Sequence, residues 1–344
     1  MIKAINIFIL FAISMIIFTT SCKKDEVEEK GNVTTDPSHE HSSNDGIKDN
    51  GNGTSTITLG GENFTTVSRD FSNETVITSL KTVSANKVEE YDLGQDITGF
   101  GISDDDIIAA NDTKLIVYNM SSKTVTDNYT VSYAISGIDV NGAIMTTEGS
   151  ETVNFYSTKN HKIDKHFFEI KSINGSKFLS ECYLDYNTAY LYDESEIVSF
   201  GLDNVTTSTK PKLLDIPSFA KVNYSSDENS LYYCLGQLSK PNPNDPNAAY
   251  INYSAIRIYD RSSKQFVDKN SADDEQYTGI AVDANYIYFS LADMNIIRVI
   301  NKHNFSDAGS FGVDGAKDLK KIGEYLYVYS STNKSITKLN ITFN

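Results

Sequence analysis

The chain has 344 residues, of which 46 are acidic and 30 are Lys or Arg, giving a formal net charge of −16. A charge of this sign disfavours nucleic acid and anionic lipid headgroups as partners, because their phosphates would repel it. The chain holds 21 tyrosines and 17 phenylalanines but no tryptophan, which favours a β-rich fold and disfavours a sugar-binding platform of indole rings.

Residues 1–21 have the pattern of an export signal. Lys3 supplies a positive charge, an apolar run follows from Ile5 to Phe18, and the small residues Thr19–Ser21 precede Cys22. The run is too short to span a bilayer, and small residues at its end mark a cleavage site. The segment resembles the signals of bacterial lipoproteins. This resemblance implies that Cys22 becomes the acylated N-terminus of the mature protein.

The run SCKKDE at residues 21–26 is similar to that of Bacteroidetes lipoproteins, in which acidic residues soon after the cysteine favour export to the cell surface. The resemblance implies a lipid-anchored protein of the outer membrane that faces the exterior. Residues 22–53 are polar and charged, and we predict that they form a disordered tether. Its triplet His39-Glu40-His41 is interpreted as polar linker, because these three side chains supply no fixed tetrahedral metal site.

From residue 54 onward, short alternating runs are separated by turn residues, which is typical of β-strands. The runs group into units of four strands. Equivalent points of the first strand recur about every 40 residues, at Gly99, Gly137, Ser180, Lys221, Gly279 and Asp318. Four short strands per unit at this period predict a β-propeller over residues 54–344. The pattern resembles the loosely patterned propellers of Bacteroidetes lipoproteins.

The number of blades has two interpretations. A weaker upstream unit, with strands that include TVITSLK (75–81) and KVEEYDL (87–93), would give seven blades. The last unit, however, lacks a fourth strand. In a six-bladed ring KVEEYDL would supply that strand and close the ring, and residues 54–85 would form an extra hairpin. Seven blades is the first interpretation, and six is the alternative.

One unit is longer than the others because of an insertion at residues 238–253, between strands predicted at residues 230–237 and 254–260. The insertion contains three prolines and two tyrosines. Long loops in compact domains are commonly functional, and prolines reduce the entropy lost on ordering. We therefore predict ligand-binding residues at Tyr250, Tyr253 and Asn247. A tolerated surface insertion is the alternative.

Other polar groups fit structural roles better than chemical ones. Asp104–Asp106 and Asp273–Glu275 lack the alternating spacing and glycine of a calcium loop, so we interpret them as solvated turns. His161 and His166 are predicted on opposite strand faces. Cys182 and Cys234 lie in different units, where two buried free thiols are favoured over a disulfide. No catalytic motif of the common hydrolase, metalloprotease or phosphate-loop kinds occurs.

These features predict a monomeric, non-enzymatic binding module that touches the membrane only through its lipid anchor. It would capture a small nutrient or cofactor, or assist an outer-membrane transporter. The sequence does not identify a ligand or a cofactor. Two alternatives stay open: a protein-interaction or adhesion platform, and a propeller hydrolase or lyase whose scattered side chains line the axis.

Overall fold

The computed structural model describes residues 34–35, 46–149, 151–171, 179–193, 196–202, 212–215, 221–240, 251–273 and 275–344. All regular structure in these residues is β-strand. The N-terminal strands are β1 (Thr34–Thr35), β2 (Gly46–Asp49), β3 (Thr54–Leu59), β4 (Glu62–Val67) and β5 (Val83–Asp92). The prediction of an all-β chain is confirmed.

Six antiparallel sheets follow, and we call them blades 1 to 6. Their strands lie in sequence order, except that β1 adds to the edge of blade 2 and β5 to the edge of blade 6. Blade 1 has β6 (Gly99–Ser103), β7 (Asp106–Asn111), β8 (Lys114–Asn119) and β9 (Thr124–Thr130). Blade 2 has β10 (Ile135–Asn141), β11 (Ala143–Glu148), β12 (Thr152–Lys159) and β13 (Lys162–Lys171). Blade 3 has β14 (Leu179–Asp185), β15 (Thr188–Asp193), β16 (Glu196–Gly201) and β17 (Lys212–Asp215).

Blade 4 has β18 (Lys221–Ser226), β19 (Ser230–Lys240), β20 (Ile251–Asp260) and β21 (Gln265–Asp273). Blade 5 has β22 (Tyr277–Val282), β23 (Tyr286–Leu291), β24 (Ile296–Asn301) and β25 (Asp307–Gly312). Blade 6 has β26 (Ala316–Ile322), β27 (Tyr325–Ser330) and β28 (Ser335–Phe343), and its fourth strand is β5. The first strand of each blade contacts the first strand of the next, and β26 returns to β6. The blades thus form a closed ring around an axis.

Burial explains why these runs fold as radial blades. Second strands such as β11 (AIMTTE) and β23 (YIYFSL) are buried along their whole length, because neighbouring blades cover both faces of the sheet. The outermost strand β9 (TVTDNYT) is instead half-buried or exposed throughout. A single blade cannot cover both of its faces, so stacking around the ring completes the core.

The ring closes by pairing an early strand with a late one. β5 pairs with β28 in antiparallel register from Val83 opposite Phe343 to Asp92 opposite Ser335. Thr82 and Asn344 extend the ladder with two backbone hydrogen bonds of 3.1 and 3.0 Å. The described residues form seven sheets, as many as the seven predicted units. Six of them form the ring, and its closure is the one that the six-bladed alternative predicts.

The seventh sheet, β2-β3-β4, has three strands and packs beside the ring. Ile57, Leu59 and Phe64 join the apolar core of blades 2 and 3. Phe64 packs on Phe155 and Phe167 with ring centroids 6.5 and 5.9 Å apart. β1 and β2 lie within residues 22–53, the segment predicted as a tether. β2 pairs with β3, and β1 pairs with the outer strand β13. Residues 46–49 thus belong to the same sheet as β3 and β4.

The first strands repeat more closely than the sequence indicated. In four blades a β-bulge interrupts the first strand at the same place, at Ser136, Ser180, Thr278 and Lys317. Gly137, Gly279 and Asp318 each follow such a bulge directly, as the predicted equivalence requires. In blade 3 the residue after the bulge is Glu181, so the predicted equivalence at Ser180 is wrong by one residue.

Candidate functional site

The first strands approach one another closely around the axis, and glycines make this possible. A Cβ atom at Gly137 would lie 2.7 Å from Glu181 Cα of the next blade, and one at Gly101 would lie 2.5 Å from Val140 Cβ. At Gly279 the carbonyl oxygen of Lys317 would be 2.9 Å away. No side chain fits at these positions without a backbone shift. The axis is consequently narrow.

Bulged residues tie neighbouring blades together at the beginning of the first strands. The Ser136 hydroxyl donates to the Leu179 carbonyl of the next blade at 2.7 Å. The Thr278 hydroxyl donates to the Ala316 carbonyl at 3.3 Å in the same way. In blades 2 and 5, the bulged residue therefore bonds directly to the next blade.

The axis encloses a cavity of about 20 Å³, lined by residues of blades 1, 2, 3, 4 and 6. Such a volume suffices for about one water molecule. The lining includes Glu181, Asn223, Tyr224, Asp318 and Lys320. The interior is thus polar and nearly filled, which is far from the pockets of about 300–1,000 Å³ that hold small organic ligands.

Charged side chains of different blades meet at the axis. Blade 1 contributes Gly99 there, which has no side chain to fill the space beside Asp318. Lys320 Nζ of blade 6 lies 3.6 Å from Asp139 Oδ1 of blade 2. Burial opposes the ammonium charge, but the Asp318 and Asp139 carboxylates outweigh it and raise the pKa of Lys320 above its ordinary value. Burial also raises the pKa of Asp318, although Lys320 counteracts the effect. Asn223 Nδ2 donates to Asp318 Oδ1 at 3.5 Å. This network fixes the centre of the ring.

The ring has two different faces. Turns between first and second strands and between third and fourth strands lie at one face. Residues 68–82, which we call the strap, pass over this face without strand pairing between β4 and β5. The prediction of a strand at residues 75–81 is wrong, because the backbone there bonds to side chains of the turns. We call this face the strap face and the opposite one the hairpin face.

Asparagine and glutamate side chains of blades 2, 4 and 5 hold the strap and the residue that precedes it. Asn141 Oδ1 of blade 2 accepts from Val67 N, at the end of β4, at 2.8 Å, and Glu228 Oε2 of blade 4 accepts from Phe71 N of the strap at 2.9 Å. Asn285 makes two bonds: its Oδ1 accepts from Ile77 N at 2.7 Å, and its Nδ2 donates to Thr75 O at 3.0 Å. The strap therefore follows the ring from blade 2 to blade 6.

Arg69 projects from the strap toward the axis. Its guanidinium carbon lies 4.8 Å from the centroid of the Tyr183 ring, and Tyr183 also lines the axial cavity. Burial opposes the guanidinium charge, yet Tyr183, Asp139 and Asp185 outweigh it, and the pKa of Arg69 is raised above its ordinary value. The strap thus brings a cation toward the Asp139 and Asp185 carboxylates.

Polar contacts also join neighbouring blades at the strap face. In each, a carboxylate near the first turn of one blade meets a side chain in the last turn of the following blade. They are Asp106 with His161 at 2.9 Å, Asp185 with Arg261, and Asp227 with Lys302 at 2.9 Å. The Asp106–His161 pair was not predicted from the sequence, in which the two residues lie in different units. Their common position in the repeat was the signal that could have found it.

The hairpin face carries the predicted insertion. β19 and β20 continue beyond the blade as a ladder in which Leu238 pairs with Tyr253 and Lys240 with Ile251. The predicted loop at residues 238–253 is therefore shorter, since its ends are strand. Tyr253 is half-buried and packs against a tyrosine-rich core cluster. Tyr250, Asn247 and the prolines lie outside the described residues, as does Cys22.

Two larger grooves lie between blades 5 and 6. One, of about 320 Å³, is lined by residues of β25, β5 and β28, including Lys87, Glu90 and Phe311. The other, of about 400 Å³, includes Tyr288, Lys321 and Phe343. Both are open surface features. Among the residues with described positions, no group of three His, Cys, Asp or Glu side chains is placed to hold a metal ion.

Cys182 and Cys234 are buried free thiols, as favoured by the sequence. Burial raises the pKa of both thiols well above the ordinary value. In the part of the chain with described structure, no helix is long and apolar enough to cross a membrane.

No family model matches the chain, and the comparison with curated proteins gives no match. Among solved structures it is similar to a chain of the Mitotic Checkpoint Complex, with a TM-score of 0.52, 11% identity, and coverage of 75% of this chain and 95% of that one. It is also similar to the Cps50 (Swd1) beta-propeller domain of Myceliophteria thermophila, with a TM-score of 0.45, 9% identity, and coverage of 76% and 100%.

BamB from Moraxella catarrhalis has a TM-score of 0.44 and 11% identity, with coverage of 86% of this chain and 94% of that chain. At these identities the likeness concerns the fold alone. The closed ring of antiparallel sheets and its likeness to the checkpoint-complex chain lead to one conclusion: this protein is a β-propeller.

Proposed function

We propose that the protein is a lipid-anchored surface component of the outer membrane whose propeller binds a protein partner without catalysis. The partner would be another outer-membrane protein, such as a transporter that this module assists. The observation that carries the proposal is the extended β19–β20 hairpin. It projects from the hairpin face, where the other blades have short turns between their second and third strands.

The small size of the axial cavity argues against capture of a small nutrient or cofactor at the axis. Its cavity of about 20 Å³ has no room for a nutrient or cofactor, and its charged groups are largely paired with one another. Propellers offer broad loop faces, and binding residues concentrate on loops held by a rigid scaffold. A hairpin whose sequence includes Tyr250 and Tyr253 supplies side chains of the kind that protein interfaces favour. The hairpin therefore fits a macromolecular partner better than a buried ligand.

The net charge of the protein indicates which kind of partner surface it can approach. The chain carries a formal net charge of −16, which repels acidic surfaces and speeds encounter with basic ones. We therefore expect a partner whose contact surface is basic. Its association rate should fall as salt concentration rises.

The test uses a photo-crosslinking amino acid at Tyr253 in intact cells, with the same substitution at Leu80 of the strap as the control. Leu80 is 74% exposed on the opposite face. We expect a crosslinked product of one defined mass from position 253 and not from position 80. Replacement of residues 238–253 by a Gly-Asn turn should abolish binding of the identified partner and leave a cooperatively folded ring, with a melting temperature lowered only by the loss of the Tyr253 contact with the core cluster.

Equal products from both positions, or unchanged binding after the hairpin replacement, would refute this assignment of the binding face. A small ligand remains testable in the same variants. If a cofactor or nutrient binds wild type and the Tyr250→Ala/Tyr253→Ala variant differently while no protein is crosslinked, the capture function on Tyr250, Tyr253 and Asn247 takes precedence.

The anchoring part of the proposal rests on the lipoprotein-like signal before Cys22. Cys22→Ser should abolish labelling by a fatty-acid analogue and leave an unprocessed form. Protease added to intact cells should remove the protein by cutting within residues 23–53, since exposed polar segments are preferred cleavage sites. Unchanged labelling would disprove acylation, and survival until lysis would place the protein inside the cell envelope.

A further inference from the structure

The dipeptide Asn141-Gly142 lies at the turn between the first two strands of blade 2, where β10 ends and β11 begins at Ala143. An asparagine followed by glycine is chemically labile, because glycine has no side chain to hinder attack of its backbone nitrogen on the asparagine amide. The sequence holds three other such dipeptides, at residues 50–51, 52–53 and 174–175. Residues 174–175 lie outside the described part of the chain.

The Asn141 side chain joins three parts of the fold. Its Oδ1 accepts from Val67 N at 2.8 Å, and its Nδ2 donates to Val67 O and to Leu184 O, each at 3.2 Å. Val67 ends β4 of the seventh sheet, and Leu184 belongs to β14 of blade 3. Gly142 meets the same strand, because a Cβ atom there would lie 1.9 Å from Thr65 O. β4 therefore contacts both residues of the dipeptide.

These hydrogen bonds hold Asn141 in an unreactive conformation. Attack by the backbone nitrogen of Gly142 requires the side-chain amide of Asn141 to turn back toward the chain, and this movement breaks all three bonds of that amide. The reaction therefore proceeds only from molecules in which β4 has separated locally from the turn. Such openings are rare where packing and hydrogen bonds hold an element in place.

The dipeptide Asn52-Gly53 gives an uncovered example in the same chain. It lies in the exposed turn between β2 and β3, and a Cβ atom at Gly53 would have no neighbour within 4 Å. The Asn52 side chain accepts a hydrogen bond of 2.6 Å from Thr54 Oγ1, two residues away in the same turn. This bond is local, so no distant element has to move before Asn52 can react.

We propose that Asn141 is a deamidation site held unreactive by β4, and that its conversion makes release of the seventh sheet irreversible. Gly142 N bonds to Asn141 Cγ, the Cγ–Nδ2 bond breaks, and ammonia leaves with the proton of Gly142 N–H. Water then opens the cyclic imide to aspartate or isoaspartate. An aspartate at this position has no donor for the Val67 and Leu184 carbonyl oxygens, so the junction cannot form again. The lipid anchor and the hairpin-face partner have no part in this reaction.

The test is incubation of the full chain at mildly alkaline pH, followed by peptide mass spectrometry that measures amide loss at each asparagine. Asn141 should convert at least about tenfold more slowly in the folded protein than in the urea-unfolded chain, whereas Asn52 should differ much less. Phe64→Ala weakens packing of the seventh sheet on blade 2 and should speed conversion of Asn141 severalfold, but not that of Asn52. Thr65→Ala, an exposed position of the same strand, is the control and should change neither rate.

Two aspartate variants test the consequence of the reaction. Asn141→Asp reproduces one product and should show faster amide hydrogen exchange in β2, β3 and β4 than wild type, with unchanged exchange in the second strands of the blades. Asn52→Asp is the matched control and should exchange like wild type. If Phe64→Ala does not fold, Phe64→Leu makes a smaller change in packing. Equal conversion of Asn141 in folded and unfolded chains, equal rates in the Phe64 and Thr65 variants, or unchanged exchange in Asn141→Asp would overturn the proposal.

Discussion

Lys302 Nζ lies 2.9 Å from Asp227 Oδ2, and the two side chains are only 9% and 4% exposed. Asp227 also accepts hydrogen bonds from the Tyr232 hydroxyl at 2.7 Å and from Ser230 N at 2.7 Å. The pair joins blade 4 to blade 5. It is the most enclosed of the carboxylate contacts that link neighbouring blades at the strap face.

Removing Lys302 should therefore be costly. Lys302→Ala leaves the Asp227 carboxylate buried without its cation, and loss of one partner of a buried pair costs about 3–5 kcal/mol. The matched control is Lys334→Ala, because Lys334 pairs with Asp96 at 3.3 Å and both side chains are exposed. The control should change the free energy of unfolding by less than about 1 kcal/mol. Urea unfolding measures the free energy of unfolding of both variants. A similar decrease in the two would contradict a larger contribution of the buried pair.

Gly137→Ala should destabilise the ring by about 1–3 kcal/mol, the usual cost of an overpacked position. The new methyl group would lie 2.7 Å from Glu181 Cα, which is backbone and cannot rotate away. Gly312→Ala is the control, since its nearest neighbour would be Asn295 O at 3.9 Å. Thermal unfolding of the two variants compares them directly. A Gly137→Ala variant with the melting temperature of wild type would contradict the close approach of β10 and β14.

Deletion of residues 335–344 should abolish cooperative unfolding. It removes β28, so β5 loses its partner and β27 becomes an open edge. We expect insoluble protein or a broad melting curve without a single transition. A deletion of residues 23–33, which precede β1, serves as the control and should melt like the full chain. Cooperative melting of the C-terminal deletion would be incompatible with the closed ring.

The two buried cysteines should make stability depend on alkaline pH. Burial raises the pKa of both thiols in the folded state, whereas the unfolded thiols ionise near about pH 8.5. Above that pH the unfolded state has lost protons that the folded state keeps. The free energy of unfolding therefore falls as pH rises. Cys182→Ala/Cys234→Ala should show a smaller fall, and a thiol reagent at pH 8 should label wild type only after unfolding.

The repeated blades could be predicted from the sequence because each blade buries its strands in the same order and so needs the same residue types at the same positions. Glycine at residues 99, 137 and 279 recurs where first strands meet, and short runs of apolar and aromatic residues recur in the second strands. The same periodicity allowed KVEEYDL (87–93) to be considered as the closing strand. Most of this segment lies in β5, which pairs with β28 of the last unit. The missing fourth strand of that last unit was visible in the repeat, so this pairing could be considered from the sequence.

The strap and the axial site could not be read in this way. Val76, Ile77 and Thr78 have the β-branched character of a strand, so the local pattern favoured one. The backbone of Thr75, Ile77 and Thr78 bonds instead to side chains more than 200 positions away, those of Asn285, Asn301 and Asn304. Such contacts follow no period. Arg69 gave no signal for the same reason, because its neighbours Asp139 and Tyr183 lie in different blades.

The pairing of β5 with β28 also governs the order of events in folding. About 250 residues separate the two strands, and the entropy of closing so long a loop must be overcome before their contacts form. Blades 1 to 5 consist of local hairpins that can form early, but the ring stays open until the final strand is available. Ring closure is therefore a late, non-local step that we expect to limit the folding rate, and until it occurs the exposed edges of β5 and β27 are the sites most prone to intermolecular pairing.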